Sequence, residues 1–400
     1  MFAKQTKKPT EKEASEILQR GVVEVIGKDW LAEKLKTGQK IRVKLGIDPT
    51  SPHIHIGRAA ALLKMRDFER FGHKIVFIVG DFTGVIGDTS DKETERPMQT
   101  EAEVKTNMRT YFSQAGKIIN IKKAETKKNS AWLSKLRYGD IGRHADAFSV
   151  SDFIARENIK RRLEKGLRVS LRELLYPLMQ GYDSVAVKAD LEIGGTDQRF
   201  NMLAGRVLQE KAGQKPQAVM TLPLLPGTDG RKMSSSWGNT IKVTDEPADM
   251  YGKTMSIHDD AIVPYFISVT RVPMDEVRKM ENDLKAGSGN PRDMKMRLAR
   301  EITTLFHGEK NARAAEENFV RTFQKKEAPR DIKEHNVLKI ETFEDILVSE
   351  KIVFSKNEAR RLAASNAIKN MDTKKIITDT RTQAHKGTYK IVKKRFLKIV

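Results

Sequence analysis

Two histidines and a threonine hydroxyl stand close together in residues 44–58, which read Lys-Leu-Gly-Ile-Asp-Pro-Thr-Ser-Pro-His-Ile-His-Ile-Gly-Arg. Alternating apolar residues from Ile41 to Ile47 precede them and predict a strand, and helical spacing begins at Gly57. A strand that runs into a helix leaves the first helical N–H groups unpaired, and such groups bind anions. The segment therefore predicts a polyphosphate site, although a polar turn with surface histidines has the same composition.

A second set of polar groups is spaced for one face of a helix. Tyr176, Gln180 and Asp183 are four and three residues apart, so a helix would present a phenol, an amide and a carboxylate side by side. Leucine and methionine residues surround them, and burying polar groups there is costly unless they have partners. Either the three groups share a ligand, or the helix is amphipathic and its polar face meets water.

Two cationic segments follow turn-forming residues. Residues 232–236 read Lys-Met-Ser-Ser-Ser and come after the turn-rich segment 226–230. Lys92 and Arg96 lie on a charged loop that leaves the carboxyl end of a predicted strand at 74–80, where ligands of open α/β sheets bind. Solvated charge is the alternative for this loop.

The elements that must position these groups form a strand–helix–strand unit within residues 41–80. The second strand, 74–80, is a continuous apolar run of the kind that a buried parallel strand requires. This unit predicts an α/β fold with a doubly wound, Rossmann-like parallel sheet. A further strand is predicted at 185–190, before the glycine pair at 194–195. No Gly-x-Gly-x-x-Gly follows either of the first two strands, which argues against a nicotinamide dinucleotide site.

Length and composition limit the class of protein. The chain has 400 residues, enough for two or three domains, and a net charge of +21 that indicates a polyanionic partner or a lysine-rich surface. Cysteine is absent, which excludes disulfides and thiolate zinc sites and fits a cytoplasmic location. No apolar run approaches the ~20 residues of a membrane span, and no secretory segment follows Met1.

The paired motifs resemble those of class I aminoacyl-tRNA synthetases. Residues 55–58 are similar to that family's His-Ile-Gly-His, and 232–236 to its Lys-Met-Ser-Lys-Ser, each with the last basic residue changed. Tyr-x-x-x-Gln-x-x-Asp at 176–183 resembles the amino-acid recognition helix of tyrosyl-tRNA synthetases. Ser-Lys-x-Glu-Ala-Arg-Arg-Leu at 355–362 resembles the S4 RNA-binding domain of a bacterial subgroup. The resemblance extends from about residue 11 to residue 400.

This resemblance implies a ligase that activates tyrosine with ATP and then transfers the tyrosyl group to the terminal ribose of tRNA(Tyr). The catalytic residues would be Thr50, His55, Arg58, Lys92, Arg96 and Lys232. The residues that bind ATP would be Gly46, Asp48, His55, Gly57, Asp197, Lys232, Met233, Ser234, Ser235 and Ser236. The residues that bind tyrosine would be Asp88, Tyr176, Gln180, Asp183 and Gln198. Those that bind RNA would be Arg360 and Arg361.

The resemblance also implies a role for most of these groups. Thr50, His55 and Lys232 would hold the departing phosphates, with Lys92 and Arg96 on the other side. The substrate ammonium would meet the side chains of 88, 176 and 180, and its phenol would meet 183. A carboxylate nucleophile needs no general base, so catalysis depends on positioning and on charge stabilisation.

Domain boundaries are predicted from changes in pattern. Residues 1–40 form an N-terminal helical segment, and 41–242 the Rossmann-like catalytic domain with a helical insertion at about 101–175. An α-helical anticodon-side domain spans 243–335, with a linker at 329–336, and a small α+β S4-like domain spans 341–400. The resemblance implies a homodimer formed through the insertion, ATP with Mg²⁺ and no structural metal.

Three departures from the family pattern stand in the site. Lys44 occupies a position where one bacterial subgroup has a tyrosine that reaches the phenol, so that contact is left unassigned. Arg58 replaces a histidine, and Ser235 replaces a lysine, which removes one cation near the pyrophosphate and predicts slower or more cation-dependent activation. The alternatives are a tryptophan-specific relative, a non-catalytic RNA-binding protein on this fold, and a small-molecule nucleotidyltransferase.

Overall fold

The computed structural model describes residues 8–90, 97–324, 332–337, 341–392 and 395–400. The chain divides into two compact units, Met1–Gly308 and Glu309–Val400. In the described part of the chain, no helix is both long enough and apolar enough to cross a membrane.

The first unit combines one sheet with many helices. Its strands are β1 (Glu24–Ile26), β2 (Arg42–Ile47), β3 (Lys74–Val79), β4 (Glu125–Lys128), β5 (Leu191–Gly195) and β6 (Ala218–Leu222). Its helices up to the last strand are α1 (Glu11–Gln19), α2 (Lys28–Thr37), α3 (Ile56–Arg70), α4 (Thr83–Ile86), α5 (Glu101–Met108), α6 (Tyr111–Ala115), α7 (Ser130–Leu133), α8 (Tyr138–Ala145), α9 (Val150–Ile154), α10 (Glu157–Glu164), α11 (Leu171–Val187) and α12 (Arg199–Lys211). The later helices are α13 (Pro247–Met255), α14 (Ile262–Val269), α15 (Met274–Lys285) and α16 (Pro291–His307), and 3₁₀ turns lie at Thr196–Gln198, Ser235–Trp237 and Asp259–Ala261.

The sheet confirms the predicted α/β fold with a doubly wound parallel core. The strand order is β1-β6-β5-β2-β3-β4, and β2 to β6 run parallel to their neighbours while β1 is antiparallel to β6. The chain winds outward from β2 to β3 and β4, and then returns to β5 and β6 on the other side. The switch point lies between β2 and β5, where a crevice opens outside the carboxyl ends of the strands.

The strand predicted at 185–190 is wrong. Helix α11 continues to Val187, Lys188 ends it in the left-handed conformation, and the strand begins only at Leu191. Ser184 and Val187 are buried three residues apart, which is helical spacing. A short run of small apolar residues fits either structure, and here the helix already under way extends through it.

The short strands β1, β4 and β6 are not predicted by any pattern in the sequence. β1 and β4 lie at the two edges of the sheet, and β4 reads Glu-Thr-Lys-Lys, without apolar alternation, inside the predicted helical insertion. Edge strands carry charge because it discourages pairing with other chains. β6 is fully buried, but its five apolar and β-branched residues are too few to distinguish a strand from a helical turn.

The division into two units falls at 308, whereas the sequence suggests a separate helical domain from 243. Helices α13 to α16 contribute buried residues such as Met250, Phe266 and Leu298 to the same hydrophobic core as the sheet. Because these helices share that core, they belong to the first compact unit.

The second unit carries its own small core. Its elements are α17 (Glu309–Phe319), a π-helical turn at Val320–Gln324, β7 (Lys333–His335), α18 (Phe343–Ser349), α19 (Lys356–Ala364), β8 (Ile368–Asn370), β9 (Gly387–Ile391) and β10 (Arg395–Ile399). The sheet order is β7-β10-β9-β8, packed on α18 and α19. Part of the predicted linker at 329–336 is therefore the strand β7, which pairs with β10 in parallel; residues 329–331 lie outside the described ranges.

Candidate active site

The junction between β2 and α3 places a histidine at the first turn of the helix. His55 is the N-cap of α3, and its Nδ1 accepts the backbone N–H of Arg58 at 3.4 Å. A Cβ on Gly57 would lie 3.0 Å from that nitrogen, so the glycine leaves room for the ring. Burial, together with the cations Arg58 and Lys232, lowers the pKa of the His55 imidazole to about 3. The ring is therefore neutral and, since Nδ1 accepts, carries its proton on Nε2, ready to donate to an anion.

Arg58 holds the loop that precedes the helix. Its guanidinium donates to the Thr50 hydroxyl at 3.0 Å, to the Asp48 carbonyl at 3.1 Å and to the Tyr111 hydroxyl at 3.2 Å. Thr50 Oγ1 accepts in this contact, so its own O–H remains able to donate to a phosphate. Arg58 is longer than the histidine of the family motif, so it reaches the preceding loop and fixes the position of Thr50.

The Lys-Met-Ser-Ser-Ser segment forms a loop around one buried asparagine. Asn239 Nδ2 donates to Asp229 at 2.7 Å and to the Lys232 carbonyl at 3.0 Å, while its Oδ1 accepts the Ser234 N–H at 2.8 Å. The Lys232 ammonium lies 3.0 Å from a carboxylate oxygen of Asp197, beyond the end of β5. The loop therefore presents its lysine at the same crevice as the histidine.

Direct contacts join this loop to the histidine segment. The hydroxyls of Ser51 and Ser235 lie 3.1 Å apart. The backbone N–H of Ile56 donates to the Ile241 carbonyl at 2.8 Å, so the chain leaving the loop pairs with the start of α3. The two motifs, about 180 residues apart in sequence, are held as one structure.

A cavity of about 380 Å³ lies between these elements. Fifteen predicted residues line it: Gly46, Asp48, Thr50, His55, Gly57, Arg58, Asp88, Tyr176, Asp197, Gln198, Lys232, Met233, Ser234, Ser235 and Ser236. Gln180 and Asp183 lie further along α11 and are not in its lining. Lys92 and Arg96 fall outside the described residues, so their placement stays a prediction.

Asp48 and Tyr176 meet at the floor of the cavity. The Tyr176 hydroxyl donates to Asp48 at 2.8 Å, and Thr83 donates to the other oxygen at 2.7 Å. A Cβ on Gly80 would lie 2.0 Å from Asp48, so only glycine fits beneath the carboxylate. Burial raises the pKa of Asp48 to about 6 and that of Tyr176 well above its usual range.

Asp88 and Gln198 form a second polar pair in the lining. The Gln198 amide donates to Asp88 at 2.7 Å, and Ser90 donates to the same carboxylate through its N–H at 2.9 Å and its hydroxyl at 2.6 Å. Burial raises the pKa of Asp88 despite these donors. A buried carboxylate of this kind favours a cationic ligand, such as an ammonium group.

Asp183 is buried on α11 with a donor at each oxygen. The indole N–H of Trp132 donates to Oδ1 at 2.8 Å, and the amide of Asn129 donates to Oδ2 at 3.2 Å. Burial raises the pKa of Asp183 to about 7. A carboxylate has about four lone-pair positions, so these two bonds leave room to accept a ligand hydroxyl.

Several residues that shape this site were not assigned from the sequence. They are Thr83, Asn129, Trp132, Glu192, Asn201 and Asn239. Asn201 donates to the side-chain oxygens of both Gln180 and Gln198 at 3.1 Å, which orients the two amides. Some of their contacts span tens of residues in sequence, and single polar residues in helices, strands and loops carry no periodic signal.

The two arginines predicted to bind RNA lie on α19 of the second unit. Arg360 forms two hydrogen bonds to Glu344, at 2.7 and 2.9 Å, and this pairing raises the pKa of Arg360. Arg361 is exposed. Of the pair, Arg361 presents its charge to solvent, whereas Arg360 also fixes α19 against α18.

Known proteins match this chain over most of its length. The family model described as tRNA synthetases class I (W and Y) matches residues 36–324. The tyrosine–tRNA ligase of Thermotoga maritima is 44% identical over 360 residues, covering 90% of both chains. That of Carboxydothermus hydrogenoformans is 41% identical over 400 residues, covering 96% of this chain and 97% of the relative.

Solved structures agree in fold. The tyrosyl-tRNA synthetase of Archaeoglobus fulgidus, complexed with L-tyrosine, aligns with a TM-score of 0.61 and 22% identity, covering 77% of this chain and all of that one. A C-terminally truncated mitochondrial tyrosyl-tRNA synthetase of Aspergillus nidulans aligns at 0.63 and 22% identity, over 78% of this chain and 94% of that one. The chain belongs to the class I aminoacyl-tRNA synthetases of the tryptophan and tyrosine group.

Proposed function

We propose that the protein catalyses the tyrosine–tRNA ligase reaction, with ATP as the activating substrate. The observation that carries this proposal is the pairing of two sets of groups around one crevice. The groups proposed to donate to phosphate lie at the β2–α3 junction, and Tyr176, the first residue of the polar face of α11, lines the same cavity. Curated relatives of this name cover nearly the whole chain.

In the first half-reaction a tyrosine carboxylate oxygen attacks the α-phosphorus of ATP. The bond from that phosphorus to the bridging oxygen breaks, and pyrophosphate leaves with the electron pair. The neutral Nε2–H of His55 and the hydroxyl of Thr50 donate to the departing phosphates, and Lys232 supplies a cation. Lys92 and Arg96 are proposed to act on the same pyrophosphate. Such donors act best where water is excluded and they are already oriented.

Lys232 and Asp197 form an ion pair with each other, and each is also proposed to bind a part of ATP. We infer that the ribose hydroxyls of ATP bind Asp197 and release the ammonium, which then turns to the phosphates. Lys232 and Asp197 both line the cavity, so the exchange takes place within one site. ATP binding and loop closure are thereby coupled.

The amino-acid end of the site is proposed to bind the phenol and the ammonium group of tyrosine. Asp88, Tyr176 and Gln180 are proposed to bind the ammonium, with Gln198 beside them. Asp183 is proposed to accept the phenolic hydroxyl. Phenylalanine would leave this buried carboxylate without its ligand bond, so the contact sets specificity.

Mg²⁺ is proposed to arrive with ATP, because magnesium prefers phosphate and water oxygens and keeps few protein ligands. Among the described residues, no group of three or more His, Cys, Asp or Glu side chains is arranged to hold a metal. The donor set therefore fits a metal carried by the nucleotide. When bound, the ion neutralises part of the phosphate charge.

The second half-reaction transfers the tyrosyl group to the terminal ribose of tRNA(Tyr). We propose that Arg361 and the basic segment 341–400, with 14 Lys and Arg against 7 Asp and Glu, contact tRNA phosphates. A homodimer is proposed through the insertion, where Tyr138, Val150 and Leu171 are largely exposed apolar side chains. We propose that the reaction takes place in the cytoplasm, because translation uses charged tRNA there.

Amino-acid-dependent exchange of pyrophosphate into ATP tests the proposal. Each of the twenty amino acids is offered separately, and tyrosine alone should support rapid exchange. Exchange with tryptophan would identify the tryptophan-specific alternative instead. Exchange with none, while the protein still binds tRNA, would favour the non-catalytic alternative.

A further inference from the structure

Lys44, left unassigned in the sequence, is fully buried at the middle of β2. Its ammonium donates to the Gln180 carbonyl at 3.0 Å, to the Ser184 hydroxyl at 2.8 Å and to Glu192 Oε1 at 2.9 Å. A lysine ammonium has three N–H groups, and these three acceptors use all of them. Lys44 therefore has no donor left for a substrate and acts only through its neighbours.

Glu192 on β5 completes the network. Its Oε1 also accepts the Gln180 amide at 3.2 Å, while Oε2 accepts the Ser184 hydroxyl at 3.1 Å and the Gln217 amide at 2.6 Å. Only 2% of its surface is exposed. A buried ion pair is weak evidence for stability, since desolvation offsets the attraction, but it specifies one arrangement of the elements that it joins.

Those elements are the ones that present the amino-acid pocket. The pair contacts α11 at Gln180 and Ser184, on both sides of Asp183, and ties the helix to β2 and β5. We propose that Lys44 and Glu192 are positioning residues for tyrosine, which set the place of the Asp183 helix and the charge around its carboxylate. The proposal rests on the proposed function, because that function assigns the phenol to Asp183.

The electrostatic surroundings of Asp183 agree with this role. Burial raises its pKa most, Lys44 on β2 lowers it, and Glu192 on β5 raises it. The donors Trp132 and Asn129, from the neighbouring segment 129–133, lower it further. Another ionisable neighbour is Tyr176 on the same helix, whose own pKa Asp183 helps to raise. With a pKa of about 7, the carboxyl changes its charge in response to either partner.

The test removes each charge of the pair in turn. Lys44→Met removes the cation, so Asp183 should ionise only at higher pH, and the rise of kcat/KM for tyrosine should move up by about one pH unit. Glu192→Gln removes the anion and should move the same rise downward. Near neutral pH, Lys44→Met should raise KM for tyrosine about tenfold while KM for ATP changes little.

A matched control separates positioning from general stability. Lys64 is a second buried lysine, whose ammonium donates to the carbonyls of Ile17 and Arg20 at 3.0 and 2.7 Å, away from α11. Lys64→Met should lower the unfolding midpoint without moving the pH profile for tyrosine. If Lys44→Met fails to fold, the downward shift expected of Glu192→Gln decides alone.

Two results would overturn the proposal. They are shifts of equal sign in the two variants, and an unmoved profile for Glu192→Gln. If either occurs while Asp183→Asn still changes the ratio of tyrosine to phenylalanine activation, only the role of the ion pair fails. If Asp183→Asn also leaves that ratio unchanged, the proposed assignment of the phenol fails as well.

Discussion

Individual side chains in this protein owe their chemistry to burial. The imidazole of His55 is kept neutral, and the carboxyls of Asp48 and Asp183 have pKa values of about 6 and 7. In water the imidazole would be partly charged and both carboxyls fully ionised at neutral pH. The surroundings thus keep the imidazole a fully neutral donor and bring the pKa values of the two acids close to neutral pH.

Asp183→Asn should reduce discrimination between tyrosine and phenylalanine by at least tenfold, because the amide accepts the phenol without a charge. KM for ATP should change little, since Asp183 is not in the lining of the cavity that the nucleotide groups share. Pyrophosphate exchange with the two amino acids measures both effects. An unchanged ratio of the two specificity constants would contradict the assignment.

His55→Ala should lower kcat for activation about a hundredfold, since the Nε2–H meets phosphate oxygens as they gain charge. KM for ATP should stay within about threefold. His53→Ala is the matched control, because that neighbouring ring bonds to Thr244 at 2.8 Å and is not in the cavity lining. A rise in KM alone would mean that His55 binds the ground state.

Helices and strands bring these side chains together, and the sequence predicts some of these elements but not others. The β2–α3 junction follows from the change of its apolar spacing, and the buried strand β3 follows from a continuous apolar run. The edges of the sheet do not, since β4 is polar throughout. The end of α11 was misplaced because Val187 and Ala189 fit a strand as well as a helix.

The same distinction holds for the site. Motif residues such as His55 and Lys232 could be found because their spacing is characteristic. Glu192 could not, because its partner Lys44 is 148 residues away in sequence, and Asn239 could not, because its contacts depend on the shape of the loop. The sequence shows Lys44 as a departure from the family pattern, but it does not predict the three acceptors of its ammonium.

At the level of the loops, Ser235→Lys should increase the rate of tyrosyl-adenylate formation severalfold. The lysine would add a cation beside the leaving pyrophosphate, at the cost of the hydroxyl contact with Ser51. If potassium fills this gap in the native protein, the variant should also lose its dependence on potassium. Ser256→Lys, at an exposed position outside the cavity lining, is the control for added charge alone. Equal rates and equal potassium response in native protein and Ser235→Lys would show that the departure has no consequence.

The residues proposed to bind the small substrates and those proposed to bind RNA lie in different compact units. Every described residue assigned to ATP or tyrosine belongs to the unit that ends at Gly308, whereas Arg360 and Arg361 belong to the other. Because β7 pairs with β10, a cut at 340 would leave a strand without its partner. The unit boundary is the better place to divide the chain.

A protein truncated after Gly308 should keep tyrosine-dependent pyrophosphate exchange and lose most of its tRNA charging. The lost share of tRNA affinity should be the salt-sensitive share, because phosphate contacts release counterions. Exchange and charging are measured for both lengths at low and moderate salt. Unchanged charging at every salt concentration would mean that the second unit does not bind RNA.

The indole of Trp132 carries a consequence for optical measurement. The chain has three tryptophans, and Trp132 alone among them donates to Asp183, at 2.8 Å. Trp237 stacks against Arg231 in the Lys-Met-Ser-Ser-Ser loop, and Trp30 lies beside Lys34 and Lys215. Indole emission responds to nearby charge, so the emission of Trp132 should report the ionisation of Asp183 and the proposed binding of tyrosine. With Trp30 and Trp237 replaced by phenylalanine, the protein becomes its own fluorescent sensor for the occupancy of its amino-acid pocket.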